Sequence, residues 1–404
     1  QQNSFLENFP ANEWDYAVAK CRILGAYEDG ALKRSSYPPA PGTKVRDADS
    51  EVLKRFFGFQ PDGIMLGKMF HHDVEVRPDI SRLLQKHIAI LAQSGAGKSY
   101  AVACLIEELL ERGKEKGRPA VTVFDLHGEY ACFADRRANP QYADKASVIR
   151  GDKIRISARR LTPQLIAELV PEVSRTALRD LSPVLHSLKE KSRASDEPFG
   201  LAEVVAAVQS SEMKDNVRDG LLAWLGELRQ MRIVGKHDVP ALRRALRPGT
   251  LAVFDLSMLV NQRQKQAIVS YLARKMFGLR RKQEIPPFVC IVEEAHNFAP
   301  EHTERSQAVS RAAIEMIARE GRKFGASLCL VSQRPVHLST TALSQCNSQL
   351  ILRITADKPA LRMPPVYSGA KLEAREIDLL TRWVAEGAQW QSHWSYLPPK
   401  QAPL

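Results

Sequence analysis

The residues best equipped for chemistry lie at 92–99, which read AQSGAGKS. Gly95 and Gly97 free the backbone to wrap an anion with its N–H groups, because a side chain at either position would block that approach. Lys98 is placed to reach the terminal phosphates of a triphosphate, and the Ser99 hydroxyl to ligate Mg²⁺. The spacing is that of a Walker A phosphate loop with Ala92 in place of the usual first glycine. Ser94, Gly95, Ala96, Gly97, Lys98, Ser99 and Tyr100 are therefore the residues expected to hold ATP.

Hydrolysis needs more than a cradle: one carboxylate to orient Mg²⁺ and another to activate water. Glu293 and Glu294 directly follow the apolar run FVCIV, so a strand there would deliver both to the phosphate end of a sheet. Glu294 is expected to be the general base and Glu293 the ligand of the metal or its water. Asp125 and Asp255 also end apolar runs and compete for the metal role. Neither is followed by a second carboxylate, although Asp125, within FDLHGEY, could line the nucleotide pocket. Gln333 follows the run SLCLVS and would sense the γ-phosphate if that strand neighbours the Walker strand.

The elements that must position these groups read as follows. Runs at 88–91, 120–125, 251–255, 287–292, 327–332 and 349–354 are short and continuously apolar, which suits parallel strands covered on both faces. Helical spacing appears between them at 266–277 and 305–323, the latter with Val309, Ala313, Met316 and Ile317 on one side. Alternating strands and helices predict an α/β fold, doubly wound around a mainly parallel sheet. Between the second and third runs, 161–247 carries a stripe of Leu178, Leu181, Leu185 and Leu188 and another of Leu221, Leu225 and Leu228. This predicts a helical insertion of about four helices, with 191–200 as its polar connector. Residues 1–60 are irregular, with a proline-rich turn at 36–42 that excludes a continuous helix there.

Composition narrows the partners. Among 404 residues, 58 Lys and Arg against 46 Asp and Glu leave a net charge of +12, which attracts polyanions, nucleic acid first among them. No apolar stretch approaches the roughly 18 residues needed to span a bilayer, and no signal-peptide pattern opens the chain. A cytoplasmic protein with no membrane partner is expected. The six cysteines, Cys21, Cys104, Cys132, Cys290, Cys329 and Cys346, are scattered singly, without the spacing of a metal site or redox pair.

Together, LAQSGAGKS, FDLHGEY (124–130), IVEEAHNFAP (291–300), REGRKFG (319–325) and VSQRP with LSQCNSQLILR (331–353) resemble the HerA family within the HerA and FtsK group of ATPases. The resemblance covers about 60–356. It implies a RecA-like P-loop NTPase core at 61–356, with the helical insertion at 158–250 and a small amino-terminal module, the β-barrel-like HAS domain, at 1–60. It also implies a hexameric ring that passes double-stranded DNA through its pore, with ATP held between neighbouring subunits. Archaeal rings of this kind work with the nuclease NurA in resecting DNA ends for recombinational repair. A shared ATP site needs a cation from the neighbour, and Arg319 and Arg322, with Lys323, match the family's basic finger region. Lys86, just before the Walker strand, is a further possibility. The chain departs from the family in having a shorter amino-terminal module and, after Asp357, in lacking the usual strand-rich stretch. Residues 357–404 instead carry a helix, with Ile377, Leu380 and Val384 on one side, that could brace a neighbouring subunit.

DNA contacts are expected from loops that meet phosphates without reading bases. The loop 335–341 (PVHLSTT) and the cluster Arg274, Lys275, Arg280, Arg281 and Lys282 are candidates. Three other classes compete: a P-loop kinase of a small metabolite, a secretion or conjugation motor, and an ATP-gated scaffold. The carboxylate pair followed by a basic finger region argues against the kinase, and conjugation motors often carry a membrane anchor.

Overall fold

The computed structural model describes residues 46–303 and 308–353, with short pieces between 23 and 44. Near the amino terminus these pieces include an antiparallel pair, Ala26–Glu28 with Ala31–Lys33. Helix α1 (Ser50–Phe57) follows, capped by Asp49 and closed by Gly58 in the left-handed region. Most of the rest of the expected barrel-like module lies outside the described residues, as does the 357–404 segment in which a bracing helix is expected.

The centre is a seven-stranded, wholly parallel sheet. Its strands are β1 (Ile88–Leu91), β2 (Ala120–Asp125), β3 (Ala146–Arg150), β4 (Leu251–Asp255), β5 (Phe288–Val292), β6 (Ala326–Ser332) and β7 (Ser348–Ile351), in spatial order β7-β1-β6-β5-β2-β4-β3. The continuous apolar runs follow from burial on both faces. Ile88, Ile90, Val121, Val123, Val253 and Ile291 face one side, packing with Val102, Leu105, Ile106 and Leu109 of helix α2 (Lys98–Glu111). Ala89, Leu91, Phe124, Phe254, Cys290 and Leu330 face the other. Each fully buried aliphatic side chain stabilises the fold by roughly 1.5–3 kcal/mol.

The second face is covered by four helices of the 158–250 stretch and by two more further on. The four are α3 (Pro163–Leu169), α4 (Arg175–Ala194), α5 (Leu201–Gln209) and α6 (Asp215–Met231); the two are α7 (Gln262–Arg281) and α8 (Arg311–Glu320). Thr162 and Ser174 cap α3 and α4 by accepting from backbone N–H groups, and Pro163 sits at the first turn, where its missing N–H is harmless. Leu181, Leu185, Leu221, Leu225 and Leu228 form the buried stripes of the four-helix stretch, while Leu178 and Leu188 are partly buried at its margin.

The structure departs from the sequence reading at four places. Strand β3 was not expected; it lies at the sheet edge with a half-buried pattern, so its sequence, ASVIR, carries no apolar run. Strand β7 occupies the other edge with alternating exposure, Ile351 being 60% exposed, and is not covered on both faces. Helix α4 continues to Ala194, so the first four residues of the expected connector are helical. Helix α8 begins only at Arg311, because Ser310 is buried and donates to the Phe298 carbonyl. It gives way to a 3₁₀ turn at Gly321, packed against β6 so closely that a Cβ there would stand 2.3 Å from the Ala326 carbonyl oxygen.

Candidate functional site

A parallel register brings the carboxyl ends of all strands to one edge. Val292 pairs with Phe124, Asp255 with Asp125, and Ser332 with Leu91. The loop after β1, the carboxylates after β5 and Gln333 after β6 therefore share that edge. Because β6 is the neighbour of β1, the condition set for Gln333 is met.

The cradle has the form that the glycines demand. Gly95 and Gly97 adopt φ of +75° and +85°, and no atom lies within 4 Å of where their Cβ would be. Helix α2 starts at Lys98 with no side-chain cap, leaving its first N–H groups available to an anion. Ser94 and Gly95 are exposed at the mouth, Ala96, Lys98 and Ser99 are half-buried, and the Tyr100 ring is 76% exposed.

Lys98 Nζ donates to Glu294 Oε1 in a buried ion pair, so residues 196 positions apart meet directly. Glu294 holds a left-handed backbone, φ +45°, which a non-glycine residue adopts only when its surroundings fix it. Its second oxygen lies 3.3 Å from His296 Nδ1, and that nitrogen is 3.0 Å from Ser332 Oγ. Ser332 Oγ also accepts from the backbone N–H of Arg334. Burial holds the His296 imidazole below its ordinary pKa, with Arg334, His337 and Lys98 adding to the effect and Glu294 opposing it.

Glu293 is fully buried. Its Oε2 accepts from the Leu126 N–H at 3.1 Å, and its Oε1 has no hydrogen-bond partner. Burial, with Asp125 and Glu129 nearby, pushes its carboxyl up to about 8. Beside it lies the buried Tyr130 hydroxyl, whose pKa burial and the Glu293 charge raise, with Ser99 a further polar neighbour. A buried carboxylate oxygen without a partner, at the sheet edge that carries the phosphate loop, suits a divalent cation, which would stabilise the ionised carboxylate.

Asp125, expected among the nucleotide contacts, is oriented otherwise. Its Oδ1 accepts from the N–H groups of His127, Gly128 and Glu129 and its Oδ2 from that of Tyr130. The carboxylate thus folds the turn after β2 and acts on Glu293 through its charge. Asp255 Oδ1 accepts from the backbone and hydroxyl of Ser257. The sequence reading missed His296 and Ser332; isolated residues of these types carry no spacing signal, although His296 lies within the recognisable EEAHN stretch.

Arg319 and Arg322 lie elsewhere. Helix α8 runs from the carboxyl edge of the sheet to its amino edge, so both residues sit at the edge opposite the cradle. Arg322 is exposed, and Arg319 is 55% exposed, 3.7 Å from Glu315. An apolar cavity of about 360 Å³ at that same amino edge is lined by Ile80, Leu84, Pro119, Pro287 and Gly325 and holds no carboxylate.

The expected DNA-facing groups are more engaged than their sequence suggests. In 335–341, Leu338 and Ser339 are buried and the Ser339 N–H donates to the Ala299 carbonyl, so the segment is pinned rather than projecting. Lys275 pairs with Asp238 at 2.9 Å, Arg274 with Glu168 at 3.1 Å, and Arg280 donates to the carbonyls of Phe324 and Ile285. Arg281 and Lys282 are exposed. The five described cysteines are free, and Cys21 lies outside the described residues. Among the described residues no helix is long and apolar enough to cross a membrane.

A parallel sheet with an open phosphate cradle after β1 and a carboxylate pair after β5 defines a P-loop NTPase fold. The family described as "Helicase HerA, central domain" matches residues 64–276. A probable helicase of Methanocaldococcus jannaschii is 29% identical over 86% of this chain and 69% of its own length. The DNA double-strand break repair helicase HerA of Pyrococcus furiosus is 30% identical over 85% of this chain and 69% of its own. The chain belongs to the HerA helicase family. Among solved structures, VirB4 of Thermoanaerobacter pseudethanolicus shares the fold with a TM-score of 0.56 at 17% identity, over 74% of this chain and 86% of that one.

Proposed function

We propose that this protein is a Mg²⁺-dependent ATPase that assembles as a hexameric ring, drives double-stranded DNA through its pore and acts in DNA end resection with a NurA-like nuclease in the cytoplasm. The observation that carries the ATPase reading is the buried contact between Lys98 and Glu294 at the mouth of the open cradle. The relatives' names, which specify DNA double-strand break repair helicases, support the DNA substrate, and the net charge of +12 agrees with it.

In this reading the triphosphate lies along residues 94–100 and takes the place of Glu294 on Lys98. The freed carboxylate accepts a proton from the water that attacks the γ-phosphorus as the bond to the ADP oxygen breaks. His296, whose Nδ1 is held by Ser332, flanks the carboxylate's second oxygen, which has no hydrogen-bond partner of its own. Ser99 and Glu293 would hold Mg²⁺, which supplies charge neutralisation across the β- and γ-phosphates. Gln333 reports the presence of the γ-phosphate to the segment that follows it. Arg319 and Arg322 serve the adjacent protomer's site, a role that their exposure and their distance from this protomer's own cradle support.

Glu294→Gln should retain binding of a fluorescent ATP analogue and ring assembly while reducing turnover by about two orders of magnitude or more, the range a positioned proton acceptor supplies. Wild-type turnover in that variant would remove Glu294 from the chemistry. Duplex DNA should raise the ATPase rate; a rate indifferent to DNA would favour the metabolite kinase, the scaffold or a motor for another cargo.

A further inference from the structure

The residue joining Lys86 to the Walker strand is His87, whose side chain is buried and whose φ of +60° is unusual for a non-glycine residue. Its Nδ1 accepts from the Leu328 N–H at 2.9 Å, so that nitrogen carries no proton and Nε2 is the donor. Nε2 lies 2.9 Å from the carbonyl oxygen of Ala318, in the last turn of α8. A Cβ on Gly321 would stand 3.3 Å from His87 Cε1, so the ring also packs on the turn that ends this helix. Ala318 immediately precedes Arg319, and Gly321 immediately precedes Arg322. One imidazole therefore ties the start of β1 and the start of β6 to the backbone just before each of the two cations.

We propose that His87 is the positioning residue for the cations this protomer presents to its neighbour, fixing the end of α8 against the strand that leads into its own cradle. The proposal rests on the shared-site reading above. It also gives that reading a physical link, because movement of β1 on nucleotide binding would be passed to Arg319 and Arg322 through a single hydrogen bond.

The test is subunit mixing with two conservative variants. His87→Asn keeps an acceptor for the Leu328 N–H and loses the bond to Ala318, whereas His87→Gln keeps a donor that can reach Ala318. His87→Asn should lower kcat by about tenfold to a hundredfold, the scale of a displacement of about 1 Å, with KM for ATP within about twofold, and His87→Gln should lose less. Mixing His87→Asn with Glu294→Gln should restore turnover, since the first supplies an intact cradle and the second intact cations. Mixing it with Arg319→Ala/Arg322→Ala should restore nothing. Restoration by the arginine variant, by neither partner, or loss of ATP-analogue binding in both histidine variants would overturn the proposal. A separate mixture of Glu294→Gln with Arg319→Ala/Arg322→Ala examines the shared site itself, and its failure would remove that reading independently of His87.

Discussion

At the scale of single residues, the ion pair between Lys98 and Glu294 makes a prediction about stability as well as turnover. Both side chains are nearly buried, so Lys98→Ala strands a carboxylate without its partner. It should abolish turnover and destabilise the nucleotide-free protein by about 3 kcal/mol. The double variant Lys98→Ala/Glu294→Gln should regain much of that stability without regaining activity, as read from urea midpoints in a double-mutant cycle. His87 gives a pH prediction. Burial lowers its pKa, so the folded state binds its proton less readily than the unfolded chain. Its contribution is present above the unfolded value of about 6.5 and is lost as pH falls towards the folded one. Stability should therefore decline on acidification below about 6.5, less steeply in His87→Gln; an unchanged slope would exclude a titrating role. His296 is shifted the same way and keeps its share of the slope in that variant. The glycines, the lysine and the glutamate pair were legible because each has a fixed spacing from an apolar run. The two histidines were not, since what distinguishes them is contact with residues more than 30 positions away.

At the scale of elements, the strands with two buried faces were legible for a physical reason: both sides are mostly apolar, and the few polar residues there, such as Thr122 and Ser327, are small and hydrogen-bonded to backbone carbonyls. Edge strand β3 escaped because one side of it need not be apolar. The cations of α7 were misleading for a related reason. A helix with Arg274, Lys275 and Arg280 reads as a basic surface, yet their partners, Glu168, Asp238 and the Phe324 carbonyl, come from distant segments. The end of α8 offers a direct test of packing. Gly321→Ala would force a methyl to within 2.3 Å of the Ala326 carbonyl oxygen, which is backbone and cannot swing aside. The substitution should destabilise the protein by about 1–3 kcal/mol and displace Arg322. Within the four-helix stretch, Leu225→Ala should cost about 2–5 kcal/mol by leaving a cavity, with ATP turnover retained at temperatures where the protein stays folded. Chemical denaturation measures both.

At the scale of the whole molecule, a net charge of +12 fixes how DNA stimulation should respond to salt. If the contacts are to phosphates, the logarithm of the apparent DNA affinity should fall linearly with the logarithm of salt concentration, by about 0.9 per phosphate neutralised. Stimulation that is flat between roughly 50 and 200 mM salt would argue for another cargo. Charge was legible from composition, but its deployment was not, because the sequence does not show which cations are already neutralised within the fold. The opposition of the two sheet edges has one more consequence. In the proposed shared site, a protomer with its receiving pocket at one end and its donating arginines at the other would be an arrow rather than a mirror. A two-fold axis would match both ends reciprocally and stop at a closed pair, whereas the proposed ring needs copies that queue nose to tail. The rotation between successive copies then decides whether the queue closes or runs on as a filament. A substitution that altered that rotation while leaving every active-site atom in place would change the architecture without touching the chemistry.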